Sequence, residues 1–186
     1  MLTNLSNTLK KYASGWLVLI FLAGEIFFNA VILPGQQAKV EANLNAAGPI
    51  DLQFFYTPEK VYGMIGSYGN EIRALYRIFE LTGDIIYPIV YTLFFSLAIT
   101  WLFQRGFASN SNMHKYNVVP FGAWFFDLLE NICIVAMLSV YPSTPSTLAW
   151  ASTIFTAAKW LFVIPTVILL LYGLVKAAMN GFKKQA

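Results

Sequence analysis

Five ionisable residues lie inside stretches that are otherwise apolar enough to cross a lipid bilayer. Four are acids and one is a base: Glu25, Asp84, Asp127, Glu130 and Lys159. A charge at membrane depth is costly unless it is paired or hydrated, so such residues indicate a functional site. Because four acids face one base, we expect a carboxyl group to hold a proton, bind a cation or meet an arginine. The imbalance does not name a reaction.

The spacing of the polar residues in the third apolar stretch puts them on one side of a helix. Asp127, Glu130 and Asn131 are three and four residues apart, which is the repeat of a helix face. At a rise of about 1.5 Å per residue, Lys159 lies at the same depth as Glu130, so we expect these two to pair. A carboxyl group and an amine held together in an apolar environment can exchange a proton. Asp127, Glu130 and Lys159 are therefore the candidate catalytic residues.

A second polar line precedes and enters the second apolar stretch. Arg73, Arg77, Glu80 and Asp84 recur at i, i+4, i+7 and i+11 and so share one face, with Tyr91 near it. We expect the two arginines to attract an anionic group at the mouth of a site, and Asp84 to connect the mouth to the interior. Pro88, in the same stretch, should loosen the helix. The predicted ligand-binding residues are Arg73, Arg77, Asp84, Tyr91 and Asn131.

Several kinds of chemistry are disfavoured by the composition. With one histidine and one cysteine, a zinc site built from nitrogen and sulfur ligands cannot form. An all-oxygen cation site from Asp84, Asp127, Glu130 and Asn131 is disfavoured by their different depths, so we predict no metal. The net charge of +3 comes without a dense basic patch, which argues against a nucleic-acid partner. The sequence names no cofactor.

The elements that must position these residues are membrane-spanning helices. Of the 186 residues, 58% are hydrophobic and 11% are charged, which is typical of a membrane protein. Four stretches approach or exceed the ~20 residues that a spanning helix needs, at 15–34, 81–103, 120–141 and 148–175. We therefore predict an all-α, four-helix transmembrane bundle that forms one domain over 1–186. A helical loop of about 35–80 joins the first two helices.

The distribution of basic residues predicts the orientation. The segments before the first span, between the second and third, and after the fourth contain lysine or arginine and no acid. Such segments favour the cytoplasmic side. Both termini should therefore be cytoplasmic, and the long first loop should lie outside.

The second half of that loop has the sequence pattern of two helices. Thr57 suits an N-cap and Pro58 a first helical position, which predicts a helix from Pro58 to about Ser67. Asn70 should cap a second helix that starts at Glu71 and runs unbroken into the second span. We interpret the loop as a lid, with an inert interfacial segment as the alternative. Its tyrosines are expected at the membrane interface, at Tyr56, Tyr62, Tyr68 and Tyr76.

A series of short motifs, in order, covers roughly 55–159. They are Tyr56-Thr57-Pro58-Glu59, then Gly69-Asn70-Glu71-Ile72-Arg73 with Tyr76, Asp84 with Pro88 and Tyr91, Asp127-Leu128-Leu129-Glu130-Asn131, and Phe155-Thr156 with Lys159. The series resembles a family of small four-helix bacterial integral membrane proteins, although the family pattern often has glycine where this chain has Ile72. The resemblance implies the topology, a bacterial inner membrane and a shared polar site, and it implies no activity. The residues it singles out are Arg73, Asp84, Asp127, Glu130, Asn131 and Lys159.

Three functions remain open on the sequence. The leading hypothesis is an outward-opening polar site in the membrane that binds a small polar or amphipathic ligand or a lipid headgroup, with enzymatic activity left open. The second is a proton- or cation-coupled carrier acting as a homo-oligomer, because four helices are few for alternating access. The third is a subunit or assembly factor of a membrane complex. Buried polar pairs can also fix helix packing without any chemistry.

Overall fold

The computed structural model describes residues 2–41 and 48–185, which contain helices and turns and no β-strand. In chain order the α-helices are α1 (Leu2–Tyr12), α2 (Gly15–Phe27), α3 (Leu33–Glu41), α4 (Pro58–Ser67), α5 (Gly69–Glu80), α6 (Gly83–Gly106), α7 (Pro120–Val140) and α8 (Ser146–Gln185). A π-helical turn, Phe28–Ile32, joins α2 to α3, and two 3₁₀ helices cover Ile50–Leu52 and Asn112–Val118. The predicted all-α class is confirmed.

Four helical segments within the described residues are long and apolar enough to cross a membrane. They are Gly15–Val40, Gly69–Gly106, Asn112–Val140 and Ser146–Gly181. Large apolar side chains on them are exposed, including Trp16 and Leu161, each at 72%. Lipid rather than water is the favourable surrounding for such surfaces. The protein is therefore a multi-pass integral membrane protein, as the sequence predicts.

The chain divides into two compact parts. The first part comprises Met1–Glu25, Ile89–Trp124 and Trp160–Ala186, and the second part comprises Ile26–Pro88 and Phe125–Lys159. Most of the predicted site residues belong to the second part. Glu25 and Tyr91 belong to the first part.

In the first part, α1 is fixed by hydrogen bonds to the 3₁₀ helix Asn112–Val118. The buried Ser6 donates from Oγ to the backbone oxygen of His114 at 3.1 Å. Asn117 returns a bond from Nδ2 to the backbone oxygen of Ser6 at 3.3 Å. The His114 ring is also buried, with Nε2 3.0 Å from the backbone oxygen of Ala108. These contacts anchor the N-terminal helix.

The π-helical turn between α2 and α3 has a local cause in the sequence. Pro34 has no backbone N–H, and its ring clashes with the carbonyl four residues earlier. The helix widens just before it, so that the backbone N–H of Leu33 donates to Phe28, five residues back. Asn29 lies in this turn and donates from Nδ2 to the hydroxyl of Tyr87 at 3.3 Å. Helical structure continues to Glu41, beyond the predicted end of the first span at residue 34.

The two loop helices of the second part follow the sequence only in part. The Thr57 hydroxyl accepts from the backbone N–H of Lys60 at 3.3 Å, which confirms the predicted N-cap of α4. The prediction that Asn70 caps the next helix is wrong, because α5 begins at Gly69 and Asn70 instead accepts from the Arg73 guanidinium. Gly69 has a φ of 72°, a conformation that glycine adopts without a steric cost, and it allows the chain to turn there.

The loop tyrosines are buried, so the prediction that they lie at the membrane interface is wrong. Tyr56 donates to Ser152 Oγ at 2.6 Å, Tyr62 to the backbone oxygen of Pro145 at 2.9 Å, and Tyr68 to that of Gly48 at 2.8 Å. A phenol can enter a core when its hydroxyl finds a partner there. Burial raises the pKa of Tyr56 to about 12. The core that they join also contains Val40, Ile50, Val61, Met64, Ile65, Tyr76, Ile134, Met137, Leu138 and Ala149.

The predicted unbroken helix into the second span is also wrong. Leu81 and Thr82 form a turn between α5 and α6. The Thr82 hydroxyl donates back to the backbone oxygen of Ile78 at 2.7 Å, a contact that bends helices. The ring of Phe79 lies over Gly83, where an added Cβ would be 2.5 Å from its Cε2. This close contact lies at the start of α6, one residue before Asp84.

Candidate functional site

The second part contains a cavity of ≈ 370 Å³, here called the polar cavity. Its wall includes residues from α3, the 3₁₀ helix Ile50–Leu52, α5, α6, α7 and α8. The polar side chains that line it are Asn29, Gln36, Gln37, Asp51, Tyr76, Asp84, Tyr87, Asp127 and Lys159. Three of the predicted site residues, Asp84, Asp127 and Lys159, thus meet at one space.

An ion-pair cluster around Lys159 forms one side of the polar cavity. The ammonium group lies 2.6 Å from Glu130 Oε2 and 3.0 Å from Asp127 Oδ1. The first distance confirms the predicted pairing of Lys159 with Glu130. Asp127 and Glu130 are one helical turn apart on α7, so both carboxyl groups can reach the same cation. Lys159 thereby bridges two acids of one helix face.

Within this cluster, Glu130 and Asp127 occupy different positions. Glu130 is 0% exposed. Its Oε2 contacts Lys159, and its Oε1 accepts a hydrogen bond from the hydroxyl of Thr156 at 2.7 Å. Thr156 precedes Lys159 by three residues on α8. Glu130 does not line the polar cavity, whereas Asp127 and Lys159 do. Glu130 therefore contacts Lys159 from outside the polar cavity, whereas Asp127 and Lys159 form part of its wall.

Asp84 is fixed by Asn131. The Asn131 amide donates from Nδ2 to Asp84 Oδ2 at 2.6 Å and to the Asp84 backbone oxygen at 2.8 Å. Asn131 itself does not line the polar cavity. Asn131 thus orients the Asp84 carboxyl group, and its predicted ligand-binding role stays a prediction.

Asp51 is a site residue that the sequence analysis missed. Tyr76 donates its hydroxyl hydrogen to Asp51 Oδ1 and accepts from the backbone N–H of Ile50 at 2.8 Å. Burial raises the pKa of Asp51, and the hydrogen bond from Tyr76 opposes this rise. The one hint in the sequence is the apolar surrounding of this acid, Pro49-Ile50-Asp51-Leu52, in a loop that is otherwise polar.

Three predicted ligand-binding residues lie elsewhere. Arg73 donates from Nη1 to the backbone oxygen of Ile65 at 3.1 Å, and its guanidinium lies 4.5 Å from the centre of the Tyr141 ring. Arg77 is half-buried, and its guanidinium makes no hydrogen bond or ion pair with the described residues. Tyr91, in the first part, is buried beside apolar side chains such as Phe95. The ligand-binding roles of Arg73, Arg77 and Tyr91 stay predictions.

The charges around the polar cavity are unbalanced. Asp51, Asp84 and Asp127 line it together with one base, Lys159, which also pairs with Glu130. In the part of the chain that the structure describes, no three His, Cys, Asp or Glu residues come together closely enough to hold a metal ion. The arrangement offers hydrogen-bond acceptors and a carboxyl–ammonium pair to a small molecule.

The four apolar helices and the buried Lys159–Asp127/Glu130 cluster define a class, that of multi-pass membrane proteins with an internal ion pair. A search of protein-family models, curated proteins and solved structures found no match to this chain. The resemblance noted in the sequence is therefore based on its motifs alone.

Proposed function

We propose that the protein binds a small polar ligand, or the polar head of an amphiphile, in the polar cavity. The observation that carries this proposal is the meeting of Asp51, Asp84, Asp127 and Lys159 around ≈ 370 Å³. That volume is in the range of about 300–1,000 Å³ typical of small-molecule sites. A site that only fixed helix packing would be filled by side chains.

The chemistry of the wall favours a ligand that donates hydrogen bonds. An ionised carboxylate accepts hydrogen bonds and donates none. Asp51, Asp84 and Asp127 have six carboxyl oxygens, and three of these already accept from Tyr76, Asn131 and Lys159. Tyr76 is already engaged with Asp51. A ligand with N–H or O–H groups, and a positive charge above all, would complement the excess of acids.

We further propose that Asp127 and Lys159 exchange a proton with a ligand that is also a substrate. Their 3.0 Å contact borders the polar cavity, and Glu130 holds Lys159 from behind. A proton could pass between a bound ligand and this pair without leaving the site. The proposal includes the predicted orientation, with both termini cytoplasmic in a bacterial inner membrane and the cavity opening outward.

Native mass spectrometry of the purified protein tests ligand binding. We expect a small molecule or lipid to co-purify with the wild type and to be lost in Asp127→Asn and Lys159→Met. Glu71→Gln changes an exposed acid of α5 that does not line the polar cavity, and it serves as the control for charge alone. Identical spectra for all four proteins, with folding unchanged, would contradict the proposal.

A second candidate, a proton- or cation-coupled carrier, is favoured by the surplus of buried acids over Lys159. Asp84, Asp127 and Glu130 are all buried in the second part, and carboxyl groups in membrane segments are common in proton relays. This function would require a homo-oligomer. Uptake into proteoliposomes that depends on a pH or cation gradient, and that Asp84→Asn abolishes, would support it. Equal uptake with and without any gradient would rule it out.

A further inference from the structure

A second cavity of ≈ 260 Å³ lies in the second part and is here called the apolar crevice. Its wall is formed mainly by apolar side chains of α6, α7 and the turn before α6, among them Leu81, Ile85, Ile132 and Val135. Two polar side chains also reach it, Glu80 and Asn131. This crevice plays no part in the function proposed above.

Three side-chain oxygens of the residues that line the apolar crevice have no hydrogen-bond partner among the described residues. Glu80 is 1% exposed, and neither of its carboxyl oxygens has a hydrogen-bond partner among the described residues. Oδ1 of Asn131 also has no hydrogen-bond partner among the described residues, and Nδ2 of the same amide donates to Asp84. The reverse orientation of the amide would set its oxygen against the Asp84 oxygens, so Oδ1 faces away from them. Three buried acceptors are thus left without donors.

The position of Glu80 in its helix adds to the need for a positive charge. Glu80 is the last residue of α5, where the negative end of the helix dipole disfavours an anion. Arg77 precedes it by one turn, but the two side chains form no ion pair in the described structure. The buried Glu80 carboxyl group must therefore either hold a proton or meet a cation from outside these residues.

The apolar side of the crevice is open to the membrane. Ile132 is 64% exposed, and Leu81 and Ile85 are exposed beside it. They lie in segments long and apolar enough to span the bilayer, so acyl chains are the favourable surrounding for this surface. A ligand can thus enter from within the bilayer.

We propose that the apolar crevice binds a membrane-resident amphiphile with a primary ammonium head. The three N–H groups of such a head match the two oxygens of Glu80 and Oδ1 of Asn131 in number. The ammonium charge neutralises the carboxylate, and the alkyl chain lies along Ile85 and Ile132. This site is separate from the polar cavity and does not depend on a ligand there.

The test uses the full-length protein in phosphatidylcholine nanodiscs and a photoactivatable long-chain primary amine. The alcohol and the carboxylic acid with the same chain serve as comparison probes, and labelled peptides are identified by mass spectrometry. We expect the amine to label α7 between Leu128 and Val135 about tenfold more than either comparison probe, since it alone makes charge-assisted hydrogen bonds. Glu80→Gln should reduce this labelling about tenfold, and Glu71→Gln, a control on the exposed face of α5, should not change it.

Two further variants make the result decisive. Ile132→Trp adds bulk to the wall of the crevice and leaves Glu80 unchanged, so it should block labelling even if Glu80→Gln fails to fold. Asp51→Asn alters the polar cavity alone and should leave labelling intact. The proposal is overturned if the amine labels no better than the acid, if Ile132→Trp labels like the wild type, or if Asp51→Asn reduces labelling as much as Glu80→Gln.

Discussion

The side-chain Nδ2 of Asn131 donates hydrogen bonds to both the carboxylate and the backbone carbonyl of Asp84, at 2.6 and 2.8 Å. The backbone contact has a cause four residues further along α6. Pro88 stands where a helical N–H would bond the carbonyl of Asp84, and proline has no N–H to give. Asn131 supplies the missing donor and, in the same contact, orients the carboxyl group in the polar cavity.

We predict that Asn131→Leu destabilises the protein by about 2–3 kcal/mol, because it leaves a buried carbonyl and a buried carboxyl group without a donor. Pro88→Ala provides a new N–H four residues after Asp84. In that background the loss of Asn131 should cost about 1 kcal/mol less. Unfolding of the wild type, both single variants and the double variant in detergent measures this coupling. If Asn131→Leu costs the same in both backgrounds, Asn131 does not replace the helical bond.

The ion-pair cluster could be predicted from the sequence because the apolar stretches offer few charged residues that could pair. Lys159 is a basic residue deep in an apolar helix, and Glu130 is an acid at its depth, so the pairing followed from position alone. The four spanning helices were equally clear from length and hydropathy. Local rules also located α4, whose Thr57 cap and first-position Pro58 act within a few residues.

The contacts of the loop could not be predicted in this way. Asp51 and Tyr76 are 25 residues apart, and their meeting depends on how the intervening chain packs. The same packing buries Tyr56 and Tyr68, which composition alone would leave at the interface. The break at Thr82 depends on two local contacts that hydropathy does not reveal, the hydrogen bond from Thr82 to Ile78 and the packing of Phe79 over Gly83. Sequence patterns thus predicted the spans and missed one wall of the cavity.

We predict that Lys159→Met costs about 3–5 kcal/mol of folding free energy, because it leaves Asp127 and Glu130 buried without a cation. The double variant Lys159→Met/Glu130→Gln should recover part of this loss, since one of the two acids then carries no charge. Lys60→Met changes an exposed lysine and should alter stability by less than about 0.5 kcal/mol. Thermal unfolding in detergent measures all three. A cost for Lys159→Met no larger than that for Lys60→Met would show that the cluster does not stabilise the fold.

We predict that stability falls with rising pH through the titration of Asp51. Burial raises the pKa of Asp51 in the folded state, so the folded protein holds this proton more tightly than the unfolded chain does. The resulting stabilisation is complete below the unfolded aspartate pKa of about 3.9 and is lost as pH rises through the folded value. Asp51→Asn should remove this fall in stability above the unfolded aspartate pKa. Tyr76→Phe should extend the loss of stability to higher pH, because the hydrogen bond from Tyr76 lowers the pKa of Asp51.

The unfolding midpoint measured against pH for these two variants and the wild type tests the assignment. Glu59→Gln, at an exposed acid of α4, is the matched control and should follow the wild-type curve. Parallel curves for Asp51→Asn and the wild type would mean that Asp51 keeps an ordinary acidity in the folded protein.

We predict that Gly83→Ala destabilises the protein by about 1–2 kcal/mol, because the new Cβ would lie 2.5 Å from Phe79 Cε2 and the ring must move. Phe79 also lines the polar cavity, so its displacement should weaken the binding of any ligand found there. Phe79→Leu removes the overlapping ring atoms, and in that background Gly83→Ala should become neutral or slightly stabilising, as alanine is the better helix former. Thermal unfolding of the wild type, the two single variants and the double variant shows whether Gly83→Ala stabilises or destabilises the protein in each background. If alanine is equally harmful with leucine at position 79, the start of α6 is limited by the backbone at Gly83 and not by the packing of Phe79.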